Sequence, residues 1–216
     1  MLNIPSIEIP TGESFGLAGN NGAGKTTFFN ILLDLIRPTI GSITTNDIVV
    51  NTSEDWKKFT GSFIDESFLI GYLTPEEYFE FIGNLRGIDK ADVTAFLIQF
   101  DEFFNGEIIG KKKYLRDLSK GNQKKVGIVA AMMGAPKVII LDEPFANLDP
   151  TTQIRLKMII KKLTKNKEIT VLISSHDLTH ITEVCERIVV LDKGILVKDI
   201  ETSTETLKEL ESYFSV

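Results

Sequence analysis

Hydrophobic spacing changes character twice along the chain, and the changes divide it into parts. Ser14-Phe15-Gly16-Leu17-Ala18 is a short, largely apolar run that reads as a strand. Phe28, Ile31, Leu32 and Leu35 then recur at helical spacing until Arg37-Pro38 stops them. Ser6 to Pro10 and Ser42 to Asn51 read as further short strands between turn residues. The second alternates imperfectly, and together they predict a small antiparallel layer. From Asp65 the period becomes helical. Thr74-Pro75-Glu76-Glu77 is a capping box with proline at the first helical position, predicting a helix from Thr74 to about Arg86 with Tyr78, Ile82 and Leu85 on one face. Asp89 caps a second helix in which Val93, Phe96, Leu97 and Phe100 repeat at three and four.

Past residue 136 continuous apolar runs take over. Val138-Ile139-Ile140-Leu141 and Thr170-Val171-Leu172-Ile173 have the texture of strands buried on both faces, with the helical pattern Ile154, Met158, Ile159, Leu163 between them. A doubly wound parallel sheet is the economical arrangement. Ile188 to Leu191 and Ile195 to Ile200, joined through Asp192-Lys193-Gly194, predict a closing hairpin before a terminal helix around Thr204 to Tyr213. Phe79, Phe81, Phe96, Phe100, Phe103 and Phe104 crowd the middle stretch. They read as a helical core, or as a core with one or two rings exposed for a partner.

Composition narrows the picture. A chain of 216 residues suits one large domain, or one domain with a subdomain. With 24 basic and 30 acidic residues the net charge is -6, which argues against a surface devoted to nucleic-acid phosphate. Cys185 is the single cysteine, so no disulfide forms within the chain, and a structural thiol in a reducing compartment is expected. No apolar run approaches the roughly 18 residues that cross a bilayer, and Met1 to Pro10 lacks the form of a signal peptide. Direct membrane insertion is not expected.

The strongest chemical signal lies between the first strand and the first helix. Gly19-Asn20-Asn21-Gly22-Ala23-Gly24-Lys25-Thr26, followed by Thr27, fits the pattern G-x-x-x-x-G-K-S/T. Glycines let successive backbone N–H groups point inward at phosphate oxygens, and Lys25 adds a fixed positive charge. Thr26 offers a hydroxyl to a magnesium ion, and the helix start aims its positive dipole end at the phosphates. Asp142 and Glu143 follow the run Val138 to Leu141, where the carboxyl end of a parallel strand opens onto a ligand crevice. Asp142 suits the magnesium ion, and Glu143 suits a base that polarises an attacking water. His176 follows the other buried strand through Ser174-Ser175, placing an imidazole where it can hydrogen-bond a γ-phosphate. His180 reads as helix surface. Leu118-Ser119-Lys120-Gly121-Asn122, before the apolar helix Val126 to Met133, is a second helix start suited to phosphate. One nucleotide cannot easily occupy both starts in one compact subunit, so the second suits a nucleotide held by another copy.

In this order the motifs closely resemble the nucleotide-binding subunit of ATP-binding-cassette (ABC) transporters over nearly the whole chain. Gly19 to Thr26 corresponds to Walker A, Leu118 to Asn122 to the LSGGQ signature, and Val138 to Asp142 to Walker B. Glu143 falls on the catalytic glutamate, Ala146-Asn147-Leu148-Asp149 on the D-loop, and Ser175-His176 on the switch histidine. The resemblance implies an α/β fold: a P-loop NTPase parallel-sheet core with a small antiparallel β layer and an inserted helical subdomain. Residues 1-64 and 126-216 would form the nucleotide-binding core, and 65-125 the helical subdomain ending in the signature. It also implies ATP and Mg2+ as ligands and a head-to-tail homodimer or paired ABC subunit, in which Ser119 and Gly121 meet the partner's ATP. Membrane-spanning permease subunits and a peripheral position on the cytoplasmic membrane face follow. A soluble cassette in translation or DNA repair, and a module that senses ATP without hydrolysing it, are the competing expectations.

Three departures qualify the resemblance. Lys120 and Asn122 replace the middle glycine and final glutamine of the signature. Asp65 or Glu66 stands where a glutamine usually serves magnesium; Asp65 is the expected metal contact, and an acid there tilts the reading toward the ABC-2-type export branch. Ahead of Gly19 the one aromatic residue is Phe15, inside the expected buried strand. The grip on phosphate is therefore expected to be firmer than the selection of adenine.

Overall fold

In the computed structural model, which describes residues 1–215, the elements run in the order β1 (Ser14–Ala18), α1 (Lys25–Leu32), β2 (Thr44–Thr45), β3 (Ile48–Val49), β4 (Thr60–Phe63), α2 (Pro75–Leu85), α3 (Lys90–Ile98) and α4 (Asp101–Phe104). They continue as α5 (Lys120–Ala131), β5 (Val138–Leu141), α6 (Pro150–Thr164), β6 (Thr170–Ser175), α7 (Leu178–Val184), β7 (Arg187–Asp192), β8 (Ile195–Glu201) and α8 (Thr206–Phe214). One six-stranded sheet has the order β4-β5-β6-β1-β7-β8, and its β4, β5, β6, β1 and β7 pair in parallel. β8 closes it as an antiparallel hairpin partner of β7 through Lys193 and Gly194, both at positive φ. The continuous apolar runs are its centre because β1 and β6 are buried along their whole length.

This strand order positions the chemistry. β5, β6 and β1 are neighbours, so the segments leaving their carboxyl ends emerge side by side: Asp142 and Glu143, His176, and the loop Gly19 to Gly24. β4, on the far side of β5, delivers Asp65 and Glu66 to the same edge.

The helical part is ordered by its caps and its rings. Thr74 accepts a hydrogen bond from the Glu77 N–H while Glu77 Oε2 accepts from the Thr74 N–H, completing the expected capping box at α2. Asp89 caps α3 through the Asp92 N–H. Phe79, Phe100, Phe103 and Phe104 are buried, with Phe79 5.9 Å and Phe100 6.4 Å from the Phe104 ring. Full burial of each ring stabilises by about 1.5–3 kcal/mol. Phe81 is the ring of this group that is turned outward.

Three expectations are corrected. Ser6 to Pro10 forms no strand; the pairing in that region is a single bridge between Asn3 and Ile195, and Pro5 and Pro10 each lack the N–H a ladder needs. The layer expected over Ser42 to Asn51 contracts to the two-residue strands β2 and β3. α6 forms, but Ile154 and Met158 point outward while Thr152, Leu156, Ile160 and Thr164 are buried. α5 is continuous from Lys120 to Ala131 and packs against both β4 and α2.

Candidate functional site

The loop after β1 is shaped for a negatively charged ligand. Gly24 stands at the N-terminus of α1 with φ 110, a left-handed conformation that disfavours any side chain. No side chain caps α1, whereas Thr74, Asp89 and Asp149 cap α2, α3 and α6. The first N–H groups of a helix have no intrahelical partner, and here they face the loop that Lys25 closes. Lys25 is buried. Its Nζ donates to the Gly19 carbonyl at 2.6 Å and lies 3.3 Å from Glu143 Oε1. Gly19, Asn20, Asn21, Gly22, Ala23, Thr26 and Thr27 complete the arc, with the Ala23 N–H donating to the Asn20 carbonyl at 3.1 Å.

Glu143 is the hub. Its Oε2 lies 2.9 Å from His176 Nδ1, its N–H donates to Ser174 Oγ at 2.9 Å, and its carbonyl accepts from Lys124 Nζ at 2.8 Å. Its φ is 45, a left-handed backbone that a non-glycine residue adopts at a cost of order 1–3 kcal/mol and keeps only where the surroundings fix it. The Glu143 Oε1 atom is buried and has no hydrogen-bond partner among the described residues. A neutral imidazole has a single N–H, and beside a carboxylate that proton sits on Nδ1.

Asp142 is bound into the same cluster. Thr26 Oγ1 donates to its Oδ2 at 2.6 Å and Ser174 Oγ donates to its Oδ1. Burial raises the Asp142 carboxyl above the usual range, and the hydrogen bonds from Ser174 and Thr26 oppose that rise. Ser174 was not anticipated as a site residue. Its signal was present: two serines close an otherwise aliphatic buried strand, and buried hydroxyls need partners.

The acids after β4 are sorted by a short turn. Asp65 caps it, accepting from the Ser67 N–H at 2.7 Å, and is exposed; Ser67 hydrogen bonding holds its carboxyl below the usual range. Asp65, the expected metal contact, is engaged here as the cap of that turn. Glu66 turns in, 3.7 Å from Lys124 Nζ. Lys124 and Lys125 are buried; Lys125 lies 3.4 Å from Glu107 Oε2. His180 is half-buried, packing its ring 4.7 Å from that of Phe145, and burial lowers its basicity.

Ser119 caps α5, accepting from the Asn122 N–H at 3.2 Å. A Cβ on Gly121 would come within 2.9 Å of the Asn147 carbonyl, so glycine is needed for α5 to approach the loop before α6. No hydrogen bond or ion pair among the described residues joins Ser119 or Gly121 to Gly19–Thr26. A groove of about 640 Å³ lies elsewhere, lined by Trp56, Phe63, Tyr78 and Leu85 and by none of the loop residues.

Comparison with known proteins agrees with this geometry. A family model described as ABC transporter matches residues 2–146. The uncharacterized ABC transporter ATP-binding protein YhaQ of Bacillus subtilis (strain 168) is 37% identical over 188 residues, which are 87% of this chain and 62% of YhaQ. The bacitracin transport ATP-binding protein BcrA of Enterococcus faecalis is 32% identical over 94% of this chain and 65% of its own length. The chain thus spans less than two thirds of these relatives. Among solved structures, the dimeric post-hydrolysis ATP-binding cassette MJ0796, bound to ADP and Pi, superposes with a TM-score of 0.83 at 25% identity, covering 94% of this chain and 90% of that one. The chain belongs to the ABC transporter family, as one of its ATP-binding cassettes.

Proposed function

We propose that this chain is the ATP-binding and ATP-hydrolysing subunit of an ABC transporter and works as a head-to-tail dimer, homodimeric or paired with a related subunit. The observation that carries the reading is the meeting of Lys25, Glu143 and His176 at the carboxyl ends of three adjacent strands, on a site whose second phosphate-suited helix start makes no contact with the loop. In this reading the loop Gly19 to Thr27 holds the phosphates, and Ser119 and Gly121 of a second copy cover the γ-phosphate. Glu143 takes a proton from the attacking water, and Lys25 and His176 hold the leaving and transferred phosphoryl oxygens.

A magnesium ion fits the residues present. Thr26 Oγ1 and Asp142 Oδ2 are hard oxygen donors side by side, 2.6 Å apart and partly buried. Two protein oxygens suit an ion that keeps most of its waters and phosphate ligands; it would neutralise developing charge on the phosphates. Thr26 and Asp142 would hold it.

Membrane-spanning permease subunits would be the partners, since no helix among the described residues is long and apolar enough to cross a membrane. The cytoplasmic membrane face is the proposed location, and no nucleic acid is proposed as ligand. The ABC-2-type export branch is the proposed subgroup, supported by an acid, Glu66, in the glutamine position.

Phosphate release from Mg-ATP tests the dimeric enzyme reading. Activity per chain is expected to rise with chain concentration until it saturates, because the complete site needs two copies. A hydrolysis rate per chain that is flat across a hundredfold dilution refutes the dimer, and no hydrolysis with or without a permease refutes the enzyme.

A further inference from the structure

Lys124 stands in the second turn of α5, the helix capped by Ser119, and only 5% of it is exposed. Burying an ammonium costs far more than burying a hydrocarbon of the same length, so its head group must be needed where it is or fully compensated there. Its contacts are specific. Nζ donates to the Glu143 carbonyl at 2.8 Å and lies 3.7 Å from Glu66 Oε1, an atom with no hydrogen bond of its own among the described residues. Glu66 alone would suffice to neutralise a buried lysine, yet the shorter contact is to the backbone of Glu143.

That backbone is also the unusual one. Glu143 is held in a left-handed conformation between two bonds: Ser174 Oγ receives its N–H and Lys124 Nζ holds its carbonyl. The peptide orientation sets where the side chain leaves the strand end, and hence how its carboxylate meets Lys25 and His176. One of the two anchors, Ser174, belongs to the sheet. The other belongs to a helix whose first turn carries the phosphate-suited Ser119.

We propose that Lys124 is a positioning residue: it ties the Glu143 backbone to the signature helix, so that engagement of Ser119 by one nucleotide aims the carboxylate that serves the other. This rests on the composite-site reading above. A rigid helix transmits a shift at its first turn to its second, and Lys124 Nζ passes it to the Glu143 peptide without any contact between the two nucleotides.

The test uses the full chain with Lys124→Met, Lys124→Gln and Lys124→Arg, and Ser119→Arg beside them. Steady-state hydrolysis, binding of a fluorescent ATP analogue and thermal midpoint are measured for each. Lys124→Met and Lys124→Gln, which lose the charged donor, are expected to lower kcat about ten- to a hundredfold, the range that small misplacement of a catalytic group produces. KM and analogue affinity stay within twofold, and Lys124→Arg recovers most of kcat. A purely structural lysine gives another pattern, with lower thermal midpoint and affinity and no preference for arginine. That pattern overturns the proposal, as does parental kcat in both neutral variants. If Ser119→Arg is inactive while the neutral Lys124 variants match the parent, this inference alone fails. If Ser119→Arg hydrolyses ATP normally, the composite site fails and takes the inference with it.

Discussion

Glu143→Gln is expected to cut steady-state ATP hydrolysis by about 10²–10⁴ while leaving Mg-ATP affinity within a few-fold of the parent, the size of effect associated with a general base. Glutamine has the shape of glutamate but keeps one oxygen, so of Lys25 Nζ and His176 Nδ1, 3.3 Å and 2.9 Å from the two carboxylate oxygens, only one retains its acceptor while the amide NH2 faces the other. The backbone bonds to Ser174 and Lys124 involve only the peptide and survive the change. What disappears is the ability to accept a proton. Binding without turnover accumulates the ATP-bridged dimer, so size-exclusion chromatography with Mg-ATP should show a dimer that the parent forms only transiently. A variant hydrolysing within threefold of the parent removes Glu143 from the assigned role.

Lys25→Ala has the second-largest expected effect, and it falls on binding. A hydrogen bond to a charged group contributes about 1.5–3 kcal/mol, so losing the ammonium should weaken Mg-ATP binding about ten- to a hundredfold. The change also removes the donor that closes the loop on the Gly19 carbonyl at 2.6 Å, which pushes the result toward the larger figure. Isothermal titration with Mg-ATP reads it directly. An unchanged Kd would mean that the loop Gly19 to Thr26 does not hold the phosphates.

Much of this was legible in the sequence because the residues involved are constrained locally. Four consecutive aliphatics in β5, the capping box at Thr74 and the spacing of glycines before Lys25 each have one economical reading. The positions of Asp142, Glu143 and His176 followed from the rule that parallel strands open their carboxyl ends onto a ligand crevice. What failed to read depended on tertiary packing. α6 carries aliphatics on more than one side, Ile154 and Met158 as well as Leu156 and Ile160, so periodicity could not decide which stripe the core would take. Asp65 and Glu66 are adjacent acids, and only the turn after β4 shows that the first caps outward and the second faces inward.

The lysines of α5 show the same limit from the other side. In a polar run, Lys124 and Lys125 look like solvent-facing charges, and nothing in their spacing announces burial. They are buried because α5 is one helix shared by the helical part and the core, wedged against β4 on one side and the segment after β5 on the other. Residues 125 and 126, where the family resemblance implies a boundary, are consecutive positions of that one helix.

The central claim is that a complete site takes its phosphate loop from one copy and its signature from another. Lys25→Ala disables the loop and Ser119→Arg disables the signature, so each variant alone should hydrolyse little ATP. In a mixed head-to-tail dimer both defects fall on one site, and the other site combines the intact loop of one chain with the intact signature of the other. Phosphate release from the mixture should therefore rise well above the sum of the two variants measured separately. A mixture no more active than that sum would contradict the account.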